Sequence, residues 1–184
     1  MKRFLKSYRN QVTQLKTLSC LKILSPLALA SLTLFVPDPV APTAWANSTV
    51  NIPQAIASLQ QGQERWLQVD LSNQRLLAWE GDTQVYAVII SGGTEFDPTL
   101  PGSFTIQSKH ESARMTGQGY DGTAYDVPDV PFTMYYDGNY AIHGAYWHED
   151  FGTPVSRGCI NVAVNHAEWF FSWASVGTPV IVHY

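Results

Sequence analysis

Two side chains in this sequence can form a nucleophile and its base. His143 and Cys159 stand sixteen residues apart, in a stretch that also carries His148. A thiol is a poor nucleophile at neutral pH until a base removes its proton, and an imidazole within hydrogen-bonding distance can do this and later protonate the leaving group. The separation is long enough for a loop to fold back and bring the two side chains together. The sequence therefore predicts a cysteine enzyme with His143 as the general base.

The residues before Cys159 suit acyl transfer. Gly158 has no side chain, so the backbone can approach an acyl group closely, and its N–H, together with that of Cys159, can point at a developing oxyanion. Arg157 adds a positive charge that favours the thiolate and a carboxylated substrate. These neighbours predict a site for a carbonyl substrate around Cys159.

The amino terminus predicts export. Residues 1–22 contain six Lys or Arg residues and no acidic residue, and residues 23–36 are largely apolar. The tripeptide Ala44-Trp45-Ala46 is a small-x-small signal, so we expect a signal peptide of residues 1–46. The apolar run is shorter than the ~20 residues of a membrane-spanning helix, so no stable span is expected after cleavage. An uncleaved anchor is the alternative, and the predicted location is the periplasm or cell wall.

Removal of this leader leaves one cysteine and an acidic chain. Cys20 lies in the leader, so Cys159 is then the only thiol and cannot form an internal disulfide. In an oxidising compartment a lone thiol is buried, joined to another chain, or used chemically. The remaining 138 residues carry 5 basic and 14 acidic side chains, a net charge of −9, which disfavours nucleic acid as a partner.

The pattern of apolar residues predicts one mainly β domain behind a polar tether. The tether, residues 47–63, includes a short helical stretch at 54–61, and a helix with one apolar face is predicted at 165–175. Residues 110–128 are rich in glycine and polar residues without periodicity, which predicts a long surface loop that could form a wall or lid of a site. Strands are predicted where short apolar runs stand between turn residues, at 65–71, 75–80, 83–91, 103–109, 131–136, 139–143 and 179–183.

The ordered motifs resemble one family, the L,D-transpeptidase catalytic domain (the YkuD-type domain). Its signature is a His, a loop, then Ser/Thr-His-Gly-Cys, an apolar residue, and Asn or Arg. The matching positions are His143, Ser156, Gly158, Cys159, Ile160 and Asn161. Further matching stretches lie at residues 69–76, 98–104, 130–132 and 177–180. The resemblance covers residues 66–183, nearly all of the chain after the leader.

This resemblance implies a fold and a reaction for residues 64–184. The fold is a β-sandwich of mostly antiparallel strands, with one or two short helices and a long active-site loop. In the reaction, the Cys159 thiolate attacks the L–D peptide bond between the third and fourth residues of a peptidoglycan stem, releases D-Ala, and passes the acyl group to an amine of another stem. His143 is implied as base, oriented by the carbonyl of Gly144. Carbapenem-type inhibitors are implied to react with the cysteine, and no metal or organic cofactor is implied.

One position departs from the family pattern. Arg157 stands where the family usually has a second His, which affects the expected efficiency and pH dependence. His148, in the segment Tyr146-Trp147-His148, is a candidate to supply that imidazole, and a surface position is its alternative reading. The predicted substrate contacts are thus Tyr146, Trp147, His148 and Asn161, with Ser156 and Arg157 beside the oxyanion.

Other functions are also compatible with these residues. Within the same fold, water or a protein could accept the acyl group, which gives an L,D-carboxypeptidase or a protein-anchoring enzyme. A metal site could use His143, His148, Cys159 and His166, although their spacing matches no common zinc motif. The nucleophile follows the His, unlike in papain-like amidases, and no Arg follows it as in sortases. A non-catalytic module that binds the cell wall is the remaining class.

Overall fold

The computed structural model describes residues 50–184, and the predicted leader lies outside the described residues. In this part of the chain, nine strands and two helices form a two-layer β-sandwich. In chain order they are α1 (Ile52–Gln61), β1 (Arg65–Asp70), β2 (Arg75–Glu80), β3 (Thr83–Ile89), β4 (Gly102–Thr105), β5 (Ser108–Gln118), β6 (Ala124–Asp137), β7 (Tyr140–Gly144), β8 (Ile160–Val162), α2 (Val164–Trp173) and β9 (Pro179–His183). The predicted fold class, mainly β with short helices, is confirmed.

One sheet has the strand order β3-β2-β1-β9-β4. Tight turns join β1 to β2 and β2 to β3, as the short spacing predicts. The Asp70 carboxylate accepts hydrogen bonds from the backbone N–H of Asn73 at 3.0 Å and from its side-chain amide at 2.7 Å. Gly81 has φ +58°, and a Cβ there would lie 2.5 Å from the carbonyl oxygen of Gly62, so only glycine fits this turn. β9 pairs parallel with β1, which joins the end of the chain to its first hairpin.

The second sheet has the order β5-β6-β7-β8, and one predicted strand is shared between the two sheets. The run 103–109, predicted as one strand, is β4 in the first sheet and the start of β5 in the second. The chain changes sheets at Ile106, which is buried and donates its N–H to Thr178 O at 2.9 Å, while Gln107 N–H bonds to Tyr135 O at 2.7 Å. The prediction of one strand was wrong because both halves have strand-forming residues and the change of partner leaves no local signal.

The predicted loop at 110–128 is also wrong. Residues 108–137 form the long hairpin of β5 and β6, whose turn lies at 119–123. The inward side chains of β5, Ala113, Met115 and Gly117, are small or only half-buried. A ribbon with two largely exposed faces lacks the strong apolar alternation by which a strand is recognised, so it has the composition of a loop.

The core lies between the two sheets and under α2. It joins Leu67 and Leu76 of the first sheet to Met134 and Ile142 of the second, and α2 adds Phe170. α1 covers most of the segment predicted as a tether, and its Asn51 cap accepts the N–H of Gln54 at 3.2 Å. None of the helices in residues 50–184 has the length and apolar character needed to cross a membrane.

Candidate active site

His143, the predicted base, lies near the end of β7. Its side chain is buried, and Nδ1 lies 3.1 Å from the carbonyl oxygen of Gly144. Because a carbonyl only accepts, Nδ1 carries the proton and Nε2 is left without one. The pKa of His143 is lowered to about 4, mainly by burial and in smaller part by His148, against the opposing effect of the Gly144 hydrogen bond. The imidazole is therefore neutral near pH 7, with Nε2 able to accept a proton.

Gly144 orients this ring through its backbone. A Cβ at Gly144 would lie 2.9 Å from the Cγ atom of Pro131, so a larger residue would displace the strand end or the neighbouring β6. Its carbonyl accepts the His143 Nδ1–H, which is the arrangement that the resemblance implies.

Cys159 stands immediately before β8, which pairs parallel with β7. His143 and Cys159 line one pocket, so the two strands bring together residues that are sixteen positions apart. The Cys159 Sγ lies 3.7 Å from Asn139 O. The pKa of the thiol is raised, because the effect of burial exceeds the opposing effect of the hydrogen bond from the Ala141 backbone. The resting pair is thus a neutral thiol and a neutral imidazole.

Ser156 and Gly158 shape the turn that presents Cys159. The Ser156 hydroxyl donates to Cys159 O at 2.5 Å and accepts the N–H of Gly158 at 3.1 Å. Gly158 has φ +102°, and a Cβ there would lie 2.6 Å from the ring of Tyr140. Because its N–H is bonded to Ser156, Gly158 can act as the predicted oxyanion donor only if that hydrogen bond is given up.

Asn161 and His148 form a hydrogen-bonded pair beside His143. Asn161 is buried and opposite His143 in the parallel register of β7 and β8. The His148 Nδ1 accepts the N–H of Asp150 at 3.1 Å, so the proton of the neutral ring is on Nε2, 2.9 Å from the Asn161 amide. The amide must therefore turn its oxygen toward His148. Both ring nitrogens of His148 are occupied, and its contact with substrate stays a prediction.

The walls of the pocket come from distant parts of the chain. The hairpin of β5 and β6 contributes Met115, Tyr125 and Val127, so the stretch predicted to form a wall does so as a hairpin. Trp147 is 42% exposed, and its ring centroid lies 5.7 Å from that of His143. Tyr146 donates its hydroxyl to Pro128 O at 2.7 Å, which ties the loop after β7 to β6.

Arg157 is exposed at the rim of this pocket. Its guanidinium carbon lies 5.2 Å from the centre of the Tyr125 ring. Within residues 50–184 Arg157 forms no salt bridge; the salt bridges there are those of Arg65 with Glu80 and Arg114 with Asp126. The position that departs from the family pattern thus holds a cation whose hydrogen-bond donors are available.

Sequence reasoning missed one supporting residue, Thr99, and included His166 among the candidate metal ligands although it lies elsewhere. Thr99 is buried, donates its hydroxyl to Gly158 O at 2.8 Å and accepts the N–H of Gly93 at 2.8 Å, which fixes the turn before Cys159. Its place in the matched stretch 98–104 was the available signal. His166 instead bonds Tyr86 from α2, and no three His, Cys, Asp or Glu side chains in the described range are arranged to hold a metal ion.

Comparison with known proteins gives one consistent family. Probable L,D-transpeptidase 3 from Mycobacterium tuberculosis is 33% identical over 93 residues, which cover 46% of this chain and 34% of that protein. An L,D-transpeptidase structure from Mycobacterium smegmatis has 25% identity and a TM-score of 0.61, covering 66% of this chain and 59% of that one. The catalytic domain of the E. faecium L,D-transpeptidase has 30% identity and a TM-score of 0.60, covering 66% of this chain and 98% of that one.

The chain aligns with about a third of the length of its curated relative. The model of the L,D-transpeptidase catalytic domain family, YkuD, matches residues 64–182. This match takes in the complete sandwich, the pocket and all of the motif positions around Cys159. The protein therefore belongs to the L,D-transpeptidase catalytic domain (YkuD) family.

Proposed function

We propose that this protein is a cysteine-dependent L,D-transpeptidase of peptidoglycan. The observation that carries the proposal is the shared pocket of His143 and Cys159, in which His143 has an unprotonated Nε2. Family membership supports the choice of substrate, a peptidoglycan stem peptide with an L–D bond. The leader supports export to the periplasm or cell wall.

The first half of the reaction forms an acyl-enzyme. The Cys159 thiol turns from Asn139 O toward His143 Nε2 and gives up its proton, and the sulfur attacks the carbonyl carbon of the L–D bond. The C–N bond breaks, and His143 passes the proton to the leaving amine, so D-Ala departs. The backbone N–H of Cys159 is the proposed donor to the oxyanion.

The second half transfers the acyl group. An uncharged amine of another stem attacks the thioester carbon and loses a proton to His143 Nε2. The C–S bond breaks and the thiolate takes the proton back, which restores the resting pair and leaves a cross-link between the third residues of two stems. Attack by water or by a protein amine would follow the same steps and would make the enzyme a carboxypeptidase or an anchoring enzyme.

Covalent modification of Cys159 tests the proposal. A related structure with 29% identity and a TM-score of 0.61 is an avibactam carbamoyl enzyme, so a member of this family reacts with an electrophilic inhibitor. We expect intact-mass spectrometry to show one adduct on the full chain after incubation with a carbapenem. Cys159→Ala should show none, and because it keeps Cys20 it is a matched control for nonspecific thiol reaction.

Incubation with a tetrapeptide stem gives the second readout. The wild type should release D-Ala and form a cross-linked dimer, whereas Cys159→Ala and His143→Ala should lose at least about a thousandfold in rate while keeping the circular dichroism spectrum of the folded protein. A folded wild type that forms no carbapenem adduct, or a Cys159→Ala variant that still releases D-Ala, would contradict the proposal. Trimmed stems without dimers would identify water as the acceptor.

A further inference from the structure

In the described residues, Arg157 is the only Lys or Arg side chain that lines either the pocket of Cys159 or the cavity next to it. The other cations of this range are engaged or distant. Arg65 and Arg114 pair with carboxylates, Lys109 bonds to backbone carbonyls under α2, and Arg75 lies on β2 in the other sheet. Any anionic group of a substrate near Cys159 therefore meets a single positive charge.

The Arg157 side chain is positioned without being neutralised. The Arg157 guanidinium lies over the Tyr125 ring. A Cβ at Gly119 would be 3.0 Å from the Arg157 Nε, so the tip of the hairpin of β5 and β6 packs against the Arg157 side chain. Asp121 is an acidic group influenced by this charge: its pKa is lowered mainly by hydrogen bonds from Thr123 and in part by Arg157. Among residues 50–184, no carboxylate lies within salt-bridge distance of Arg157. A fixed guanidinium with free donors is suited to bind a carboxylate with two parallel hydrogen bonds.

A second cavity begins on the far side of Arg157. It has a volume of about 240 Å³, enough for several water molecules or one small amino acid, and it shares Val155, Ser156 and Arg157 with the pocket of Cys159. Its outer wall is the stacked pair Phe96 and Tyr120, whose ring centroids are 5.3 Å apart. A ligand that extends from Cys159 past Arg157 would enter this cavity.

The second cavity has acidic side chains on one side and the cation of Arg157 on the other. Asp97 and Asp121 line its outer part, where the Asp97 carboxylate accepts the N–H of Tyr120 at 2.9 Å. A carboxylate on the ligand is repelled from these two groups and attracted to Arg157, which lies between them and Cys159. The anionic group of a bound ligand is therefore expected close to the reacting sulfur.

We infer that Arg157 binds the carboxylate of an amino acid whose own amino group is formed or consumed at Cys159. This inference rests on the proposed function and specifies one of its subsites. D-Ala leaves the donor as such an amino acid, and an incoming amine must attack the same thioester carbon from the position that the leaving amine vacates. The subsite thus serves the leaving group in the first half of the reaction and the acceptor in the second.

The bonding changes require only groups already named. The carboxylate stays ionised on Arg157 throughout, and the uncharged amino nitrogen next to it forms the new C–N bond as the C–S bond breaks. The amine proton moves to His143 Nε2 and then to the departing thiolate. An acceptor amine without a neighbouring carboxylate can react in the same way but loses the contact with Arg157.

Acceptor selectivity tests the inference. After Cys159 is acylated by a tetrapeptide stem, isotopically labelled D-alanine or D-alaninamide is added and incorporation is followed by mass spectrometry. At equal concentrations of uncharged amine, we expect the wild type to use D-alanine at least about tenfold faster than the amide. Arg157→Gln should bring the ratio of the D-alanine rate to the D-alaninamide rate near one. Arg157→Lys should give an intermediate ratio, because Lys keeps the charge but cannot form two parallel hydrogen bonds with the carboxylate.

Arg75→Gln is the matched control, since it removes one exposed positive charge outside both cavities. This variant should keep the wild-type ratio. A wild-type ratio near one, with normal acylation of Cys159, overturns the inference and leaves the proposed function intact. Failure of the stem to acylate Cys159 at all instead overturns the proposed function. The comparison of the two acceptors on the wild type requires no variant to fold.

Discussion

At the scale of single residues, burial sets the protonation states of His143 and Cys159. It lowers the pKa of His143 to about 4 and raises the pKa of Cys159, so both side chains are uncharged near neutral pH. The proton can then move from sulfur to nitrogen when a carbonyl substrate arrives. A standing ion pair in this pocket would require two charges to be desolvated before any substrate is bound.

The low pKa of His143 predicts a specific pH dependence of stability. Below pH 6.5 the imidazole of the unfolded chain binds a proton, whereas the folded protein does not until about pH 4, so acidification favours unfolding over this interval. This effect should lower the free energy of unfolding by about 2 kcal/mol between pH 7 and pH 5. Urea denaturation at both pH values measures it.

His143→Gln separates this effect from that of the acidic side chains. The variant has no imidazole at position 143, so its loss of stability between pH 7 and pH 5 should be smaller than that of the wild type by the same amount. Equal losses in the two proteins would show that His143 titrates normally in the folded state.

At the scale of elements, the loop between β7 and β8 is anchored to the segment that follows β3. Gly92 O accepts the N–H groups of Val155 at 3.1 Å and Ser156 at 3.0 Å, and Gly152 donates to Ile90 O at 2.9 Å. These bonds hold the loop in place just before Cys159. The position of Cys159 therefore depends on the segment after β3 as well as on β7 and β8.

α2 ends on a charged contact that a single substitution can remove. Lys109 donates from Nζ to Phe171 O and Ala174 O, both at 2.5 Å, and lies 4.4 Å from the centre of the Phe171 ring. Lys109→Met keeps much of the apolar stem but leaves the two carbonyls without this donor. We expect the variant to lose about 2 kcal/mol in the free energy of unfolding, measured by urea denaturation.

His110→Ala is the control for Lys109→Met. His110 is the exposed next residue on β5, and its substitution should change stability by less than about 0.5 kcal/mol. If both variants are as stable as the wild type, the contact of Lys109 with the end of α2 contributes nothing measurable.

At the scale of the whole molecule, one core between the two sheets holds the strands that carry the site. Tyr136 lies in this core next to Phe104, with ring centroids 5.3 Å apart, and its hydroxyl is buried without a hydrogen-bond partner in the described residues. Burial raises the pKa of Tyr136, so the phenol stays neutral. An unpaired buried hydroxyl lowers the stability of the folded state relative to a benzene ring.

Tyr136→Phe should therefore stabilise the protein by about 1 kcal/mol, an increase visible in both the urea midpoint and the thermal midpoint. The ring and its packing are kept, so the change reports on the hydroxyl alone. Tyr135→Phe, on the half-buried neighbouring position, is the comparison and should have a smaller effect. A destabilised Tyr136→Phe variant would mean that the hydroxyl has a bonding partner, such as a buried water.

The sequence by itself determined the family and the class of fold. The types and order of His143, Gly158 and Cys159 predict a base, a turn and a nucleophile, and the matching stretches along the chain identify a mainly β family domain. Strands such as β1 and β2, and the helix α2, could be predicted because their patterns are local, with short spacing between turn residues or one apolar face.

Only the tertiary structure decided the features that depend on distant pairing. The outer part of the hairpin of β5 and β6 has too little buried surface to leave a periodic pattern, and β8 is fully buried but only three residues long. The change of sheet at Ile106 alters hydrogen-bond partners without altering residue type. The bonding of His148 to Asn161, and the absence of a salt bridge between Arg157 and any other residue of the part that the structure describes, likewise follow from which segments meet in space. The residue types around Cys159 thus specify what chemistry can occur, and long-range packing specifies which donors and charges remain free to take part in it.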